Sequence, residues 1–440
     1  MVKEMAQEVY KTEPLGCWQK AKELINRYYV DYLQAKDKGG LRFSGGAVAF
    51  VAIPAGLGDD VYGLAVEPYG ALVTASGPFG VECLEATERA GYARDMCAYT
   101  RNYWGSIILN RYALGGAFPK PDFRWQGHNC CTHAKGDKVA SYLEGADTPC
   151  YAIDCAVGHY SARKEHKVRY LVGQMHDGIE WLEKVTGRTY NDERLIEAVL
   201  NEWRADVLWA EICTLNKNIP APLDEKTMYT LHALHTLMRE KREVVDLYQG
   251  LKEEVEDRVA RGIAAVPVEK CRLVSTNQPP WALLKLFRYI EQYGAVSIGS
   301  LYTFGLSIPW DVAEDGTMTP IKSPDDLGIE IRNRDEAFKV LAELYARIPT
   351  CYLFHDFDLG SSMYVKLVED WHVDGVMMHL NRGCAAYGLG ILETRRRMIE
   401  AGIPVVSYEG SVADERELDE TRIMNRIDIF LESLGLKKLI

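Results

Sequence analysis

Several common catalytic and nucleotide-binding motifs are absent from this sequence. It contains no GxxxxGK[S/T] phosphate-binding loop, no HExxH, no GxSxG and no EF-hand loop. The nearest approach to a dinucleotide-binding turn is Gly56-Leu57-Gly58, where the position of the third glycine holds Val61. A tight turn after a strand explains these two glycines fully. The usual support for a nucleotide-binding protein, a serine hydrolase or a zinc protease is therefore missing.

A basic surplus and a long apolar run are also absent. The 440 residues include 51 Lys and Arg against 63 Asp and Glu, a formal net charge of −12, which argues against a nucleic-acid partner. The longest weakly polar stretch, 45–58, is interrupted by Pro54 and is too short to span a bilayer. The first fourteen residues have no apolar core of signal-peptide length. We expect a cytoplasmic protein without a membrane partner.

The pattern of apolar residues predicts an α/β protein. The run AVAFVAIP at 47–54 favours a buried strand, as do 71–74 and 150–154, whereas 165–260 follows helical periodicity without strand signals. Beyond 268, strands and helices alternate, which is typical of parallel sheets covered on both faces. We therefore predict two open, mainly parallel α/β domains, Rossmann- or flavodoxin-like, joined by helices. The predicted units are an N-terminal helical lead-in (1–46), a first α/β domain (47–162), a helical connection (163–267) and a second α/β domain (268–440).

The eleven cysteines form no CxxC motif. They lie at positions 17, 83, 97, 130, 131, 150, 155, 213, 271, 351 and 384. The odd number, the irregular spacing and the expected compartment all argue against a disulfide framework. One interpretation is that most are small buried apolar residues. The other is that a few, distant in sequence, converge on a metal cluster.

Three cysteines stand out by their surroundings. Cys97 lies in DMCAYTR (95–101), Cys131 lies in HNCCTH (128–133), and Cys384 follows the predicted strand 375–380 within HLNRGC. Open α/β sheets bind ligands beyond the carboxyl ends of their strands, so Cys384 is placed where a site is expected.

These surroundings, in this order, resemble the 2-hydroxyacyl-CoA dehydratase family, which includes the cluster-bearing subunits of ATP-dependent (class I) benzoyl-CoA reductase. The run GIPVV at 402–406, with the acidic-Arg turn at 414–416 and RIDIFLE at 426–432, resembles the family's closing strand, turn and final helix. The segment from Arg272 to Trp281 resembles the start of its second α/β domain. The resemblance covers roughly residues 50–435.

The resemblance implies a 4Fe–4S cluster held by the thiolates of Cys97, Cys131 and Cys384, which are soft ligands suited to iron–sulfur centres. The departure from the family pattern is the pair Cys130-Cys131, so Cys130 stays an alternative or an additional ligand. Cys351 resembles a cysteine of the reductase branch. It is a further ligand, part of a larger double-cubane cluster, or a buried thiol.

The implied activity is delivery of a low-potential electron to a CoA thioester. The main prediction is a catalytic subunit of benzoyl-CoA reductase, an oxidoreductase that converts an aromatic acyl-CoA into a cyclic dienoyl-CoA. Two alternatives stay open: a 2-hydroxyacyl-CoA dehydratase subunit and a non-catalytic electron-transfer subunit. The implied partners are a related cluster-bearing subunit, ATP-hydrolysing activator subunits and ferredoxin as electron donor.

Candidate proton donors lie beside the candidate ligands. His379 and His133 are the first choices, and His128 and His355 are also available; each alternatively serves only a structural hydrogen bond. Asp356 and Asp358 are acidic candidates that the sequence does not rank. The run Arg395-Arg396-Arg397 meets CoA phosphates or a partner, or is a solvated helix face.

Overall fold

The computed structural model describes residues 9–145, 147–155, 158–354 and 356–439, without the side chains at 131, 134, 352 and 353. Its strands are β1 (Lys11–Thr12), β2 (Leu41–Gly45), β3 (Val61–Ala65), β4 (Phe123–His128), β5 (Cys150–Asp154), β6 (Ile263–Ala264), β7 (Cys271–Thr276), β8 (Ala295–Ser300), β9 (Trp310–Val312), β10 (Met318–Pro320), β11 (Gly375–Asn381) and β12 (Val405–Gly410).

About half of the chain is helical. The helices are α1 (Trp18–Gln34), α2 (Ala52–Ala55), α3 (Val66–Ala75), α4 (Pro78–Arg89), α5 (Ala98–Ile108), α6 (Cys131–Leu143), α7 (Lys164–Thr186), α8 (Asp192–Leu215), α9 (Glu225–Met238), α10 (Arg242–Arg261), α11 (Leu286–Tyr289), α12 (Leu301–Gly305), α13 (Pro324–Leu327), α14 (Arg334–Ala346), α15 (Thr350–Leu353), α16 (Phe357–Asp370), α17 (Ala385–Gly388), α18 (Ile391–Glu400) and α19 (Glu420–Ser433). Short 3₁₀ helices lie at Trp281–Leu283, Ile290–Tyr293 and Glu415–Glu417. In the described part of the chain, no helix combines the length and the apolar character that a membrane crossing needs.

Two parallel four-stranded sheets organise the fold. The first has the strand order β3-β2-β4-β5, and the second has the order β12-β11-β7-β8. Every neighbouring pair in both sheets is parallel. The predicted fold class is confirmed, and the long helices α7 to α10 occupy the segment that was predicted to be helical. The domain boundaries stay predictions.

The strand predictions near the N-terminus are wrong in two places. Residues 47–54 form a buried turn followed by α2, and 71–74 lie within α3. Short apolar runs do not distinguish a buried strand from a buried helix, and Pro54 cannot donate a ladder hydrogen bond. The strands β2, β3 and β4 of the first sheet went unrecognised, and β2 lies in the segment predicted as a helical lead-in.

The two sheets share their hydrophobic packing. One cluster of buried residues joins Leu64 of β3 with Val274 and Val376 of the second sheet, through helices α8 and α9. Another joins Phe123 of β4 to Met377 of β11. Because both sheets pack on the same helices, their strand ends are held at fixed positions relative to one another.

Candidate functional site

Three cysteines from distant parts of the chain line one small cavity. Cys97, Cys130 and Cys384 form part of the wall of a cavity of about 70 Å³, here called the cysteine cavity. Cys130 comes two residues after β4, Cys384 comes three residues after β11, and Cys97 directly precedes α5. Both sheets therefore contribute a carboxyl end to the same space, as open α/β sheets do. The side chain of Cys131, the first residue of α6, lies outside the described residues, so its choice as a ligand stays a prediction.

The loops that carry Cys97 and Cys384 touch each other through their backbones. Gly383 has a φ of +77°, and a Cβ atom at this position would lie 2.7 Å from the carbonyl oxygen of Met96. Only glycine satisfies both conditions without displacement, because a Cβ atom is strained at this φ and meets backbone there. The glycine before Cys384 thus fixes how closely the two thiols approach.

A buried ion-pair network lies behind the Cys97 loop. The Arg101 guanidinium donates to the Met96 carbonyl over 3.0 Å and to Oδ2 of Asp414 over 3.2 Å. Arg416 also donates to Asp414 and reaches Glu88. Burial alone would raise the pKa of Asp414, but the hydrogen bond and charge of Arg416, with the charge of Arg101, lower it. The network ties α5 to the turn after β12.

The Cys384 thiol is held by a chain of hydrogen bonds. Gln278 Nε2 donates to Cys384 Sγ over 3.2 Å, and Asn381 Nδ2 donates to Gln278 Oε1 over 2.9 Å. His379 Nδ1 lies 2.8 Å from the Gln278 carbonyl oxygen, its ring stacks on Tyr408, and burial lowers its pKa to about 4. His379 is therefore neutral near pH 7, and it stands behind Gln278 rather than in the cavity wall.

His133, the other first-choice proton donor, does line the cysteine cavity. Its Nε2 contacts Oε1 of Glu67, and its Nδ1 contacts Oδ1 of Asn129. Both ring nitrogens therefore face oxygen acceptors, which favours the doubly protonated ring. Burial alone would lower the pKa of His133, but the Cys130 thiolate and the Glu67 carboxylate raise it to about 10. Although burial opposes it, the charge of His133 lowers the pKa of Cys130.

Glu67 is a site residue that the sequence did not reveal. It lies in the first turn of α3, directly after β3, and its Oε2 accepts a hydrogen bond from the Ala47 amide over 2.9 Å. The available signal was an acidic residue at the carboxyl end of a strand, but the strand itself went unrecognised. Glu67, Cys130 and His133 together give the cavity a carboxyl group, a thiol and an imidazole.

Cys351 is buried next to the cysteine cavity rather than in its wall. Its thiol is hydrogen-bonded to that of Cys155, which raises the pKa of Cys155 further than burial does. Cys155 follows β5, and Phe354, three residues after Cys351, lines the cavity. The structure therefore brings Cys351 together with Cys155, and its role as a ligand stays a prediction.

The remaining candidates lie away from the cavity wall. His128 is half-exposed and pairs with Asp154 at 3.0 Å, and the Asp356 side chain caps α16. Asp358 forms an exposed ion pair with an arginine of α18. His355 lies outside the described residues.

Two of the three arginines in the run of α18 pair with acidic neighbours in the chain. Arg396 pairs with Glu400 at 2.8 Å, and Arg397 pairs with Asp358. Both pairs are largely exposed, which is typical of a solvated helix face.

Aromatic rings cover much of the cavity. Tyr99, Tyr302, Phe354 and Tyr387 all belong to its wall, and Trp281 Nε1 donates to the Tyr99 hydroxyl over 2.5 Å. Tyr387 packs edge-on against Phe354 at 4.9 Å between ring centroids. These rings make the surroundings of the three cysteines largely apolar, which strengthens electrostatic interactions inside the cavity.

The donor set fits an iron–sulfur cluster better than a single ion. Among the described residues, no three His, Cys, Asp or Glu side chains are close enough to hold one metal ion. A cluster bonds each thiolate to a different iron, so its ligands need not converge on one point. Burial and the neighbouring Cys384 raise the pKa of Cys97 to about 12, and burial raises that of Cys384. Both thiols would release a proton on binding iron.

Comparison with known proteins assigns the chain to a family. Residues 69–434 match the family described as 2-hydroxyglutaryl-CoA dehydratase, D-component. The chain belongs to this family. The resemblance inferred from the three cysteine surroundings is thereby confirmed.

Two relatives of the chain are dehydratase subunits. The (R)-phenyllactyl-CoA dehydratase alpha subunit of Clostridium sporogenes is 24% identical over 378 residues, covering 84% of each chain. The (R)-2-hydroxyisocaproyl-CoA dehydratase alpha subunit of Clostridioides difficile is 24% identical over 371 residues, covering 81% of this chain and 83% of the relative.

A third relative represents the reductase branch. A benzoyl-CoA reductase subunit of Thauera aromatica is 22% identical over 368 residues, covering 80% of this chain and 79% of the relative. The protein is therefore an enzyme subunit of the 2-hydroxyacyl-CoA dehydratase and benzoyl-CoA reductase family, whose members typically carry iron–sulfur clusters. The dehydratase alternative is better supported than the reductase prediction, since the dehydratase subunits are the more similar relatives.

Proposed function

We propose that this chain is the alpha-type catalytic subunit of a 2-hydroxyacyl-CoA dehydratase. The observation that carries the proposal is the Glu67–His133 pair, which places an acid and a base in the same cavity as three cysteines. Elimination of water needs one group to protonate the departing hydroxyl and another to accept a proton. The names of the more similar relatives support the same reaction.

The cysteine cavity is the proposed cluster site. Cys97, Cys384 and one of Cys130 or Cys131 would hold a 4Fe–4S cluster through their thiolates. When bound, the cluster supplies a single low-potential electron to the thioester. Gln278 fixes the direction of the Cys384 sulfur through its amide N–H, and the aromatic wall keeps water away.

The proton-transfer roles follow from the contacts. His133 Nε2 carries a proton that it shares with Oε1 of Glu67 and can transfer to the hydroxyl leaving C2 of the substrate. The Glu67 carboxylate is the proposed base for the hydrogen at C3. One hydroxyl and one hydrogen then leave as water. We assign His379 the role of positioning Gln278, because a neutral, buried ring is a poor acid.

We also propose partners for the chain. A related subunit would complete the substrate site, and ATP-hydrolysing activator subunits would supply the electron from ferredoxin, because a weak reductant alone does not reach the potential required. The relatives are themselves named as subunits of larger enzymes, which supports this arrangement.

The deciding assay supplies the assembled complex with reductant, ATP and a 2-hydroxyacyl-CoA such as phenyllactyl-CoA. We expect an enoyl-CoA product and release of water, and loss of turnover in Glu67→Gln with iron content unchanged. Turnover in Glu67→Gln at the wild-type rate would contradict the assignment of the base.

Reduction of an aromatic acyl-CoA is the second candidate. The four aromatic rings of the cavity wall favour it, since an arene ring stacks well against tyrosine and phenylalanine. The same complex is incubated with benzoyl-CoA, reductant and ATP. A cyclic dienoyl-CoA product, with no water loss from 2-hydroxyacyl-CoA, would replace the dehydratase proposal with this one.

A further inference from the structure

An amide nitrogen faces the sulfur of Cys384, and three neighbouring strands of the second sheet hold it in place. Gln278 comes two residues after β7, and its Nε2 lies 3.2 Å from Cys384 Sγ. Asn381 is the last residue of β11, and Val412 comes two residues after β12. These strands are adjacent in the order β12-β11-β7. The contact with the sulfur therefore depends on the whole edge of the sheet rather than on a single loop.

A backbone amide fixes the direction of the hydrogen bonds that lead to this sulfur. The Val412 N–H can only donate, and it donates to Oδ1 of Asn381 over 2.9 Å. The other end of the Asn381 amide is therefore Nδ2, which donates to Oε1 of Gln278 over 2.9 Å. Nε2 of Gln278 is then the end that faces Cys384. Because an amide nitrogen donates and does not accept, the sulfur is the acceptor.

The backbone on either side of Gln278 is also held by hydrogen bonds. The Gln278 carbonyl oxygen lies 2.8 Å from Nδ1 of His379, which must carry the hydrogen because a carbonyl only accepts. Asn277 Nδ2 donates to the His379 carbonyl over 2.8 Å. Asn277, His379 and Asn381 are all buried. The Gln278 amide therefore cannot turn away from the sulfur without breaking hydrogen bonds between buried groups, which is costly.

A donor fixed at a ligand sulfur affects how readily a cluster accepts an electron. Where Cys384 holds a cluster, part of the charge of one added electron lies on the ligand sulfurs. An N–H group that points at such a sulfur stabilises the reduced state more than the oxidised state, so it raises the reduction potential. The aromatic wall of the cysteine cavity strengthens this effect by excluding water. No proton moves in this step, since Gln278 keeps both of its amide hydrogens.

We propose that Gln278 is a positioning residue that raises the reduction potential of the cluster at Cys384, and that Asn381 affects this potential only through Gln278. One electron enters from the proposed ATP-hydrolysing subunits, and a less negative potential favours that transfer. The inference rests on the proposed cluster site. It applies to both candidate reactions, because each begins with delivery of one electron to a thioester.

An EPR-monitored redox titration of the iron-loaded chain tests the proposal. We expect Gln278→Met, which keeps the length of the side chain and removes the donor, to shift the midpoint potential to a more negative value. Asn381→Ala, which leaves the Gln278 amide free to turn, should cause a smaller shift in the same direction. The double variant should match Gln278→Met, because Asn381 acts through Gln278. Gln249→Met, the same substitution at an exposed position of α10, is the control and should match the wild type.

Iron analysis of each variant separates loss of the cluster from a change in its potential. A wild-type potential in Gln278→Met would overturn the proposal while the cluster site stands. If Gln278→Met alone loses its iron, Asn381→Ala decides: a more negative potential supports the proposal, and a wild-type potential overturns it.

The remaining outcomes count against the proposal. Loss of iron from both single variants would overturn it, because the network would then hold the cluster rather than set its potential. A double variant with a more negative potential than Gln278→Met would overturn the role of Asn381. Absence of a cluster from the wild type would overturn both this inference and the proposed cluster site.

Discussion

At the residue scale, the Cys384 thiol is held by side chains that the surrounding sequence does not identify. Gln278 donates to the sulfur, and Asn381 and His379 hold Gln278 from the other side. A histidine close to a candidate ligand in sequence is thus separated from the cavity by one residue. By contrast, His133 reaches the cavity directly. Proximity along the chain therefore identified two histidines, and only the geometry distinguishes their roles.

Replacing Cys384 by serine tests the cluster assignment. We expect Cys384→Ser to lose most of its iron and its activity, because a hydroxyl is a much weaker ligand for iron than a thiolate. Iron content and the EPR signal of the reduced protein are the measurements. Cys213→Ser is the matched control, since Cys213 is fully buried in α8 and does not line the cavity. Unchanged iron in Cys384→Ser would contradict the assignment.

A buried carboxyl in the second half predicts a pH dependence of stability. Glu225 accepts hydrogen bonds from Ser275 and Ser297, each over 2.5 Å. Burial raises the pKa of Glu225 to about 7, although these hydrogen bonds act to lower it. A carboxyl whose pKa is raised in the folded state contributes stability at pH values below its unfolded-state pKa. It loses that contribution as the pH rises through its folded-state pKa. The contribution of Glu225 to the free energy of unfolding should fall between about pH 4.5 and 7, by up to about 3 kcal/mol.

The measurement is urea unfolding of the wild type and Glu225→Gln at a series of pH values. The difference between the two proteins should follow this trend, because the amide does not titrate. Parallel curves across the whole range would show that Glu225 does not titrate as described.

At the element scale, the loop between β11 and α17 depends on glycine. We expect Gly383→Ala to destabilise the protein by about 1–3 kcal/mol, because alanine is strained at a φ of +77° and its Cβ would meet the Met96 carbonyl. Loss of iron should accompany it, since Cys384 is the next residue. Gly388→Ala in α17 is the control, because nothing lies within 4 Å of a Cβ there. The measurements are the thermal unfolding midpoint and the iron content of both variants.

The elements also show what the sequence can and cannot predict. The helices α7 and α8 are predictable because a single apolar face repeats over three or more turns, and α9 and α10 because their segment holds helix-favouring residues and no strand signal. Strand β11 is predictable because it is buried on both faces. In the first sheet β5 is predicted correctly, whereas β2 and β3 are harder to predict because the neighbouring run 47–54 is more apolar than either of them. Glu67 and Gln278 belong to the site only through tertiary contacts, which no local pattern encodes.

At the scale of the whole molecule, the Arg101–Asp414 pair joins residues 313 positions apart in the chain. Both side chains are almost completely buried, at 1% and 0% exposure. Asp414→Asn removes the buried charge that faces Arg101 and leaves Arg101 with Glu88 alone, at 3.3 Å, so the substitution should cost about 3 kcal/mol. Because Arg101 also holds the Met96 carbonyl, iron retention should fall with it.

Denaturant unfolding and iron content of Asp414→Asn are compared with those of Glu85→Gln. Glu85 forms an exposed pair with Arg89 at 3.5 Å, whose loss should cost less than about 1 kcal/mol. Equal stability of the two variants would mean that the buried pair does not hold the two halves together.

The separation of Cys97 from Cys384 along the chain also bears on biosynthesis. The ribosome synthesises Cys97 long before Cys384. The parallel strands between them pair through contacts between residues distant in sequence, and such contacts form slowly. A cavity lined by both cannot exist on the nascent polypeptide. On the proposed cluster assignment, iron enters a finished chain, and we expect cells that lack the machinery to deliver it to accumulate a folded, colourless protein.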